Sequence, residues 1–292
     1  MSRSERVDGG GGVRRTLIRL AAKWGIHFKL SPLEIRRTAW VTPRLGQVES
    51  MLSPALREKV RLEHQMPDVE LFQRFQRSEH VHKWHHYFDV YAARFEALRS
   101  RPIKMLEIGV FRGGSLAMWK DWFHPDSTIV GLDIDPDCKK YEDAEQGLYV
   151  RIGDQSDAAF LARVVEEFGP FDLILDDGGH TTTQMIASFN HLFRDGLIDG
   201  GLYTVEDTHT NYWPGYVDSR MTFIEFCKGL VELMHAPYFK AHSIDPYAFS
   251  GSSKDHSLEL SYVEAWLHSV AFYDSIVCLE KKRRTIPVHE LR

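Results

Sequence analysis

Residues Lys104 to Ser115 read KMLEIGVFRGGS, and this stretch decides the fold. Met105, Leu106 and Ile108 make an apolar run of strand length. Glycines at 109, 113 and 114 interrupt it, and helical spacing resumes over Ser115–Trp122. Toward the C-terminus, strand-like runs recur at Thr128–Leu132, Tyr149–Ile152, Leu173–Leu175 and Leu202–Val205. Helix patterns at Asp157–Phe168 and Thr182–Phe193 lie between them; in the second, Met185, Ile186, Phe189, Leu192 and Phe193 share one face. This alternation predicts an α/β fold with a parallel sheet covered on both faces. Ser261 to Lys281 holds two apolar runs joined by Tyr273-Asp274, which predicts a closing antiparallel pair.

The glycine turn is the first candidate site. Glycines at 109 and 113 let the backbone approach a ligand, and a helix N-terminus beyond them offers free N–H groups. A dinucleotide-binding turn requires G-x-G-x-x-G, but position 111 is Phe, and the pattern here is acidic-x-G-x-x-x-G beginning at Glu107. About twenty residues on, GLDIDP puts Asp133 at the end of the second strand, where a carboxylate can accept from both hydroxyls of a ribose. Asp154 and Gln155 end the third strand, within reach of an adenine edge. The combination looks like the nucleotide half of a class I S-adenosylmethionine-dependent methyltransferase.

FDLILDDGGH (Phe171–His180) and GGLYTVEDTH (Gly200–His209) end the next two strands. Ligands in open α/β sheets bind beyond the carboxyl ends of strands, so Asp176, Asp177, Glu206 and Asp207 are expected in one crevice. Carboxylates so gathered repel unless one is protonated or a cation lies among them. Oxygen donors with room for water suit Mg²⁺, and the absence of nearby cysteines disfavours softer metals. One of the acids could instead cap the helix that starts near Thr181. His180 offers an imidazole, a group whose reference pKa near 6.5 suits a base at neutral pH. A hydroxyl polarised by the cation and deprotonated by His180 would be an oxygen nucleophile for a sulfonium methyl, with orientation supplying much of the remaining rate.

The chain has 292 residues, 43% hydrophobic and 26% charged, as an ordinary globular protein does. Its net charge of -5 gives no positive field for a phosphate backbone, so no nucleic-acid partner is expected. Three scattered cysteines with no CxxC pair argue against a disulfide framework or structural zinc and fit a cytoplasmic location. No apolar run reaches the roughly 20 residues that span a bilayer, and no signal peptide is expected at Thr16–Ile26, which Arg19 and Lys23 interrupt.

LEIGVFRGGSLAMWKDWF, GLDIDP, GDQSD, LDDGGH, VEDTHTNYW and VAFYDSIVCLEK resemble, in this order, the bacterial sugar O-methyltransferases of the macrocin and mycinamicin type. The rhamnosyl O-methyltransferase and cephalosporin hydroxylase-like group shares the plan. The resemblance covers about Ser78 to Lys282 and implies a Rossmann-like class I methyltransferase fold with a mostly parallel seven-stranded sheet and a helical N-terminal extension. It implies Mg²⁺ on Asp177, Glu206 and Asp207, with His180 as general base. It further implies S-adenosylmethionine held by the Glu107–Gly113 loop, Asp133, Asp154 and Gln155, with Asp176 on the cofactor or the metal. A homodimer or homotetramer is the usual assembly of such enzymes.

The expected organisation is a disordered tail over 1–12, a helical region over 13–100 for capping, assembly or acceptor contacts, and the methyltransferase domain over 101–292. Within the helical region, breaks are expected at Ser31-Pro32, Thr42-Pro43, Ser53-Pro54 and Met66-Pro67. Val13–Trp24 is basic and amphipathic, and Ser243–His256 reads as a long surface loop. HVHKWHHY (His80–Tyr87) is expected on a helix beside the cofactor, with Lys83 or His85 reaching in; its histidines would point in different directions, against a metal box. Asn211-Tyr212-Trp213 could stack on a sugar face, and His209 is a second candidate base.

The function expected is therefore Mg²⁺-dependent methylation of a sugar hydroxyl in a bacterial glycoside, glycolipid or polysaccharide. The basic first helix favours a lipid- or polymer-linked acceptor, such as a methylated mannose or glucose polysaccharide. The alternatives are a catechol-type methyltransferase acting on a phenol and a non-catalytic or hydroxylase-like relative.

Overall fold

A computed structural model describes residues 41–242 and 258–285. The expected tail over 1–12, the first helix at Val13–Trp24, the break at Ser31-Pro32 and the Ser243–His256 loop lie outside the described residues. Seven strands form one sheet: β1 (Lys104–Ile108), β2 (Thr128–Asp133), β3 (Leu148–Ile152), β4 (Phe171–Asp176), β5 (Leu197–Val205), β6 (Leu267–Phe272) and β7 (Val277–Lys281). Their order is β3-β2-β1-β4-β5-β7-β6. β1 to β5 run parallel, and β7 lies antiparallel between β5 and β6.

The sheet is buried on both faces because its strands are apolar at consecutive positions. Met105 of β1 and Leu173 and Leu175 of β4 face one core; Leu106, Ile108 and Ile174 face the other. The second core is closed by α5 (Ala158–Phe168), α6 (Thr182–Asp195) and α7 (Phe223–Met234). The first is closed by α2 (Glu70–Arg77), α3 (Tyr87–Phe95) and α4 (Gly114–Trp122). Trp119 of α4 is fully buried, with Tyr91, Phe95 and Phe123 rings 5.3 to 6.0 Å away. The core therefore runs across residue 100, where the sequence suggests a boundary.

Side-chain caps explain where several helices begin. Asp157 accepts from the amides of Ala159 and Phe160 ahead of α5, and Thr181, rather than an acid, caps α6. At the C-terminal end, Ser261 and Glu264 form a reciprocal capping box, so Tyr262–Trp266 is a short helix, α9, and not the start of a strand. β6 begins only at Leu267, and the expected antiparallel pair follows from there.

The N-terminal part departs further from the expected run of helices. Pro43 lies in the first turn of α1 (Val41–Met51), and Pro54 opens a short 3-10 turn. Residues 58–68 have no regular structure. Their apolar members, Val60, Leu62 and Met66, share no continuous helical face and stay exposed. The segment His80–His86 is irregular too, and α3 starts only at Tyr87. Here the burial of Lys83 overrides the helical pattern. A short helix, α8 (Ala236–His242), follows α7.

Candidate active site

The strand ends of β1 to β5 open on a cavity of about 670 Å³, within the range of small-molecule sites. On the β1–β3 side its wall includes Gly109, Leu132, Asp133, Asp154 and Gln155; on the β4–β5 side, Asp177, His180 and Asp207.

The glycine turn is held by acids at both ends. Asp133 accepts from the amides of Val110 and Phe111 at 2.9 Å through one oxygen, and from Asp135 at 2.9 Å through the other. Gly109 has φ +101°, and a Cβ there would lie 2.2 Å from the Asp177 carbonyl oxygen, so the turn and the β4 loop touch backbone to backbone. Gly113 does not line the cavity; at φ +73° it caps α4, and a Cβ would strike the Tyr141 ring. Glu107 also lies behind the cavity wall. Fully buried, it accepts from Ser115 Oγ at 2.9 Å and Trp119 Nε1 at 3.2 Å, and burial raises its pKa.

Gln155 ties the two sides together, accepting from the Gly179 amide at 2.6 Å and donating to Asp176 at 3.1 Å. Asp154 is exposed, with its carboxylate on the Ser156 amide. Asp176 takes no part in the cavity wall. It is buried, bonded to Ser188 Oγ, Gln155 and Tyr203 Oη, and burial raises its pKa. It therefore lies behind the crevice rather than on its wall.

The other acids separate in the same way. Asp177, His180 and Asp207 bring one donor atom each within 4.8 Å of one another. His180 Nε2 is 3.9 Å from Asp177 Oδ1 and 3.7 Å from Asp207 Oδ2. Among the described residues His180 Nδ1 is buried without a hydrogen-bond partner, so none of them fixes the tautomer through that atom. His180 and Asp207 hold left-handed backbones at φ 60° and 54°, and the His180 carbonyl accepts from Thr210 Oγ1 and Asn211 Nδ2, joining the two loops. Glu206, expected beside Asp207, does not line the cavity. It is buried, accepting from Tyr91 Oη at 2.5 Å and Lys83 Nζ at 2.9 Å.

Lys83 also meets Asp177 Oδ2 at 2.6 Å. Burial opposes its charge, but Asp177, Glu206 and Glu107 outweigh that and hold its pKa well above the ordinary value. Glu206 is also pushed well up, chiefly by burial. Lys83 thus reaches the acids rather than the cavity, while His85 packs on Phe72 and His64. The four histidines of this segment do not converge, though His82 reaches the cavity wall.

Some contributors escape a reading of the sequence. Tyr87 Oη donates to Asp207 at 2.6 Å, and Tyr91 holds Glu206; nothing in their helical spacing marks them as other than core. Ile134 (70% exposed) and Phe111 (57%) stand at the cavity beside Asp133. The apolar residue directly after that acid is the signal that could have found Ile134. Burial pushes the Cys138 thiol up to about 12, so the cavity wall offers no thiolate. His209 sits on Ser275 Oγ, between the rings of Trp84 and Trp213, and burial lowers its pKa. Both tryptophans are 46% exposed.

As a test of fit, two partly exposed carboxylates from adjacent strand ends, open to the cavity, suit a hard divalent cation that keeps several waters. The buried Glu206 has its two oxygens on Lys83 and Tyr91.

No family model matches the chain. It is 33% identical over 220 residues to the 8-demethyl-8-(2-methoxy-alpha-L-rhamnosyl)-tetracenomycin-C 3'-O-methyltransferase of Streptomyces olivaceus, covering 70% of this chain and 52% of that protein. It is 41% identical over 133 residues to the mycinamicin VI 2''-O-methyltransferase of Micromonospora griseorubida, covering 43% of this chain and 32% of that protein. The structure of the MycE methyltransferase from the mycinamycin biosynthetic pathway, in complex with Mg, SAH and mycinamycin VI, is similar at TM-score 0.60 and 30% identity. That match covers 75% of this chain and 54% of that one. The chain thus spans about half the length of the relatives it matches. Over that half, it belongs with the bacterial sugar O-methyltransferases of the macrocin and mycinamicin type and has the class I methyltransferase fold.

Proposed function

We propose that this chain is an S-adenosylmethionine-dependent O-methyltransferase that methylates a sugar hydroxyl of a bacterial glycoside with the help of Mg²⁺. The observation that carries the reading is a single cavity with the glycine turn and Asp133 on one wall and Asp177, His180 and Asp207 on the other. Relatives named as tetracenomycin-rhamnosyl and mycinamicin O-methyltransferases support it, as does a similar fold in complex with Mg and SAH. Those names favour a small glycoside over a glycolipid or polysaccharide as acceptor.

When bound, S-adenosylmethionine supplies an electrophilic methyl group and Mg²⁺ supplies positive charge for a developing alkoxide. The Gly109 turn would give the nucleoside a close backbone approach, and Asp133 and Gln155, which line the cavity, would meet its ribose and base. Asp177 and Asp207 would hold the ion. His180 Nε2 receives the hydroxyl proton, and the same two carboxylates, under 4 Å away, stabilise the imidazolium that results. The hydrogen bond from the Gly179 amide to Gln155 ties the nucleotide wall to the acid wall.

The test has two arms. Calorimetric titration of S-adenosylhomocysteine, with Mg²⁺ and with chelator, should show saturable binding in the wild type and an ion site lost in Asp207→Asn. Labelled cofactor offered to rhamnosyl and other deoxysugar glycosides, to phenols and to mannose or glucose polysaccharides should label a glycoside. Absence of nucleoside binding overturns the enzyme reading, and labelling of phenols alone overturns the sugar.

A further inference from the structure

Lys83 enters the acidic cluster from outside the sheet, on the irregular segment before α3. Its side chain is 2% exposed, and Nζ lies 2.6 Å from Asp177 Oδ2, 2.9 Å from Glu206 Oε2 and 3.6 Å from Glu107 Oε1. These carboxylates belong to the ends of three different strands: β1, β4 and β5. An ammonium has three donors, and each has a carboxylate to face. Tyr91 takes the other Glu206 oxygen, and Tyr87 takes Asp207 Oδ1. The cluster is therefore closed at the back by one cation and two phenols. Toward the cavity it keeps Asp177 Oδ1, Asp207 Oδ2 and His180 Nε2.

Asp177 is shared between the two sides, with Oδ2 on Lys83 and Oδ1 facing the cavity. A fixed positive charge in that position acts on an incoming cation twice. It repels the ion through a low-dielectric wall, and it occupies carboxylate lone pairs that the ion would otherwise use. It also removes the reason for the carboxylates to splay apart while no ion is bound.

We propose that Lys83 is a built-in counter-cation, holding Asp177 and Glu206 in place before a divalent ion arrives and competing with that ion for Asp177, so that it sets the ion affinity of the site. The inference rests on the reading of this cavity as a divalent-ion site. Lys83 does not line the cavity, so its role is that of a positioning residue.

The test is calorimetric titration of Mn²⁺ into the full chain as wild type, Lys83→Met, Lys83→Arg and Asp207→Asn, with thermal melts of each. Lys83→Met should bind the ion at least about tenfold tighter than wild type, because a unit charge close to the ion is gone. Lys83→Arg should stay within about threefold of wild type, and Asp207→Asn should bind at least about tenfold more weakly. Without ion, Lys83→Met should melt lower than wild type, since Glu206 and Glu107 lose their partner, and Mn²⁺ should restore more of its melting temperature than it adds to wild type. A folded Lys83→Met that binds no tighter, beside a wild type whose binding Asp207→Asn weakens, overturns the inference and leaves the ion site standing. A wild type that binds no Mn²⁺ overturns both. Should Lys83→Met fail to fold, Lys83→Met/Glu107→Gln removes one buried charge along with its partner, and its Mn²⁺ affinity is judged by the same criterion.

Discussion

The two walls of the cavity are built on opposite principles. On the β1–β3 side, Asp133 is satisfied by amides 22 and 23 residues away, and Gln155 meets an amide 24 residues away. On the β4–β5 side, Asp177 and Glu206 are satisfied by a lysine 94 and 123 residues distant, and Asp207 by a tyrosine 120 residues distant. Backbone amides are present in any chain that makes the turn, whereas a buried ammonium must be delivered. One wall is held mostly by backbone amides nearby in sequence; the acid wall gets its cation and its phenol only once Lys83 and α3 have docked. The first should tolerate changes in distant segments, and the second should not.

The largest break in this comparison is expected at His180. His180→Ala should lower methyl transfer by about 10²- to 10⁴-fold while leaving S-adenosylhomocysteine binding intact, since the loss falls on the acceptor wall alone. Labelled-methyl assays and nucleoside titration on the same preparation check both halves. Equal loss in both would mean that the walls are not separable.

Gly109→Ala comes next, because the turn and the Asp177 carbonyl meet at that one position. With a Cβ 2.2 Å from that oxygen and φ at +101°, about 2–3 kcal/mol of stability should go, read as a fall in melting temperature. Nucleoside affinity should fall with it. A melt unchanged from wild type would show that the walls are less tightly joined than their backbone contact requires.

Asp133→Asn sharpens the contrast from the nucleotide wall. It keeps one acceptor for the Val110 and Phe111 amides but loses the charge, so S-adenosylhomocysteine should bind about tenfold more weakly with ion affinity unchanged. The smallest effect is expected at Ser188→Ala. It removes a donor from buried Asp176 and should cost about 1 kcal/mol in a denaturant melt, with both ligands bound as before. A loss of ion binding there would return Asp176 to the site.

The same difference in range explains what could be read from the sequence. All five parallel strands and the helices α4, α5 and α6 were legible, because their apolar residues recur at strand or helix period and Asp157 and Thr181 mark two of the helix starts. The crevice was legible through topology, which sends Asp133, Asp177, His180 and Asp207 to one edge. The orientation of individual acids was not. Asp176 and Asp177 are neighbours on an extended chain, so one faces the core and the other the cavity, and adjacent letters say nothing of which. Glu206 and Asp207 divide in the same manner, helped by the left-handed turn at Asp207. The helical expectation for His80–Tyr87 failed for a related reason. Placing Lys83 among three carboxylates is a demand of tertiary structure, and local periodicity carries no trace of it.

The position of β7 has a consequence for how the chain comes to be finished. Among the described residues the last strand is not an edge: it lies between β5 and β6, and the turn ahead of it carries Ser275, whose carbonyl and hydroxyl hold the amides of Thr208 and His209 just beyond Asp207. During synthesis, then, β5 stands as an open edge until residue 281 has cleared the ribosome, and the acid wall has no floor until the same moment. A polypeptide interrupted anywhere before Val277 would lose an interior strand rather than trim a border, leaving an aggregation-prone edge in place of a closed sheet.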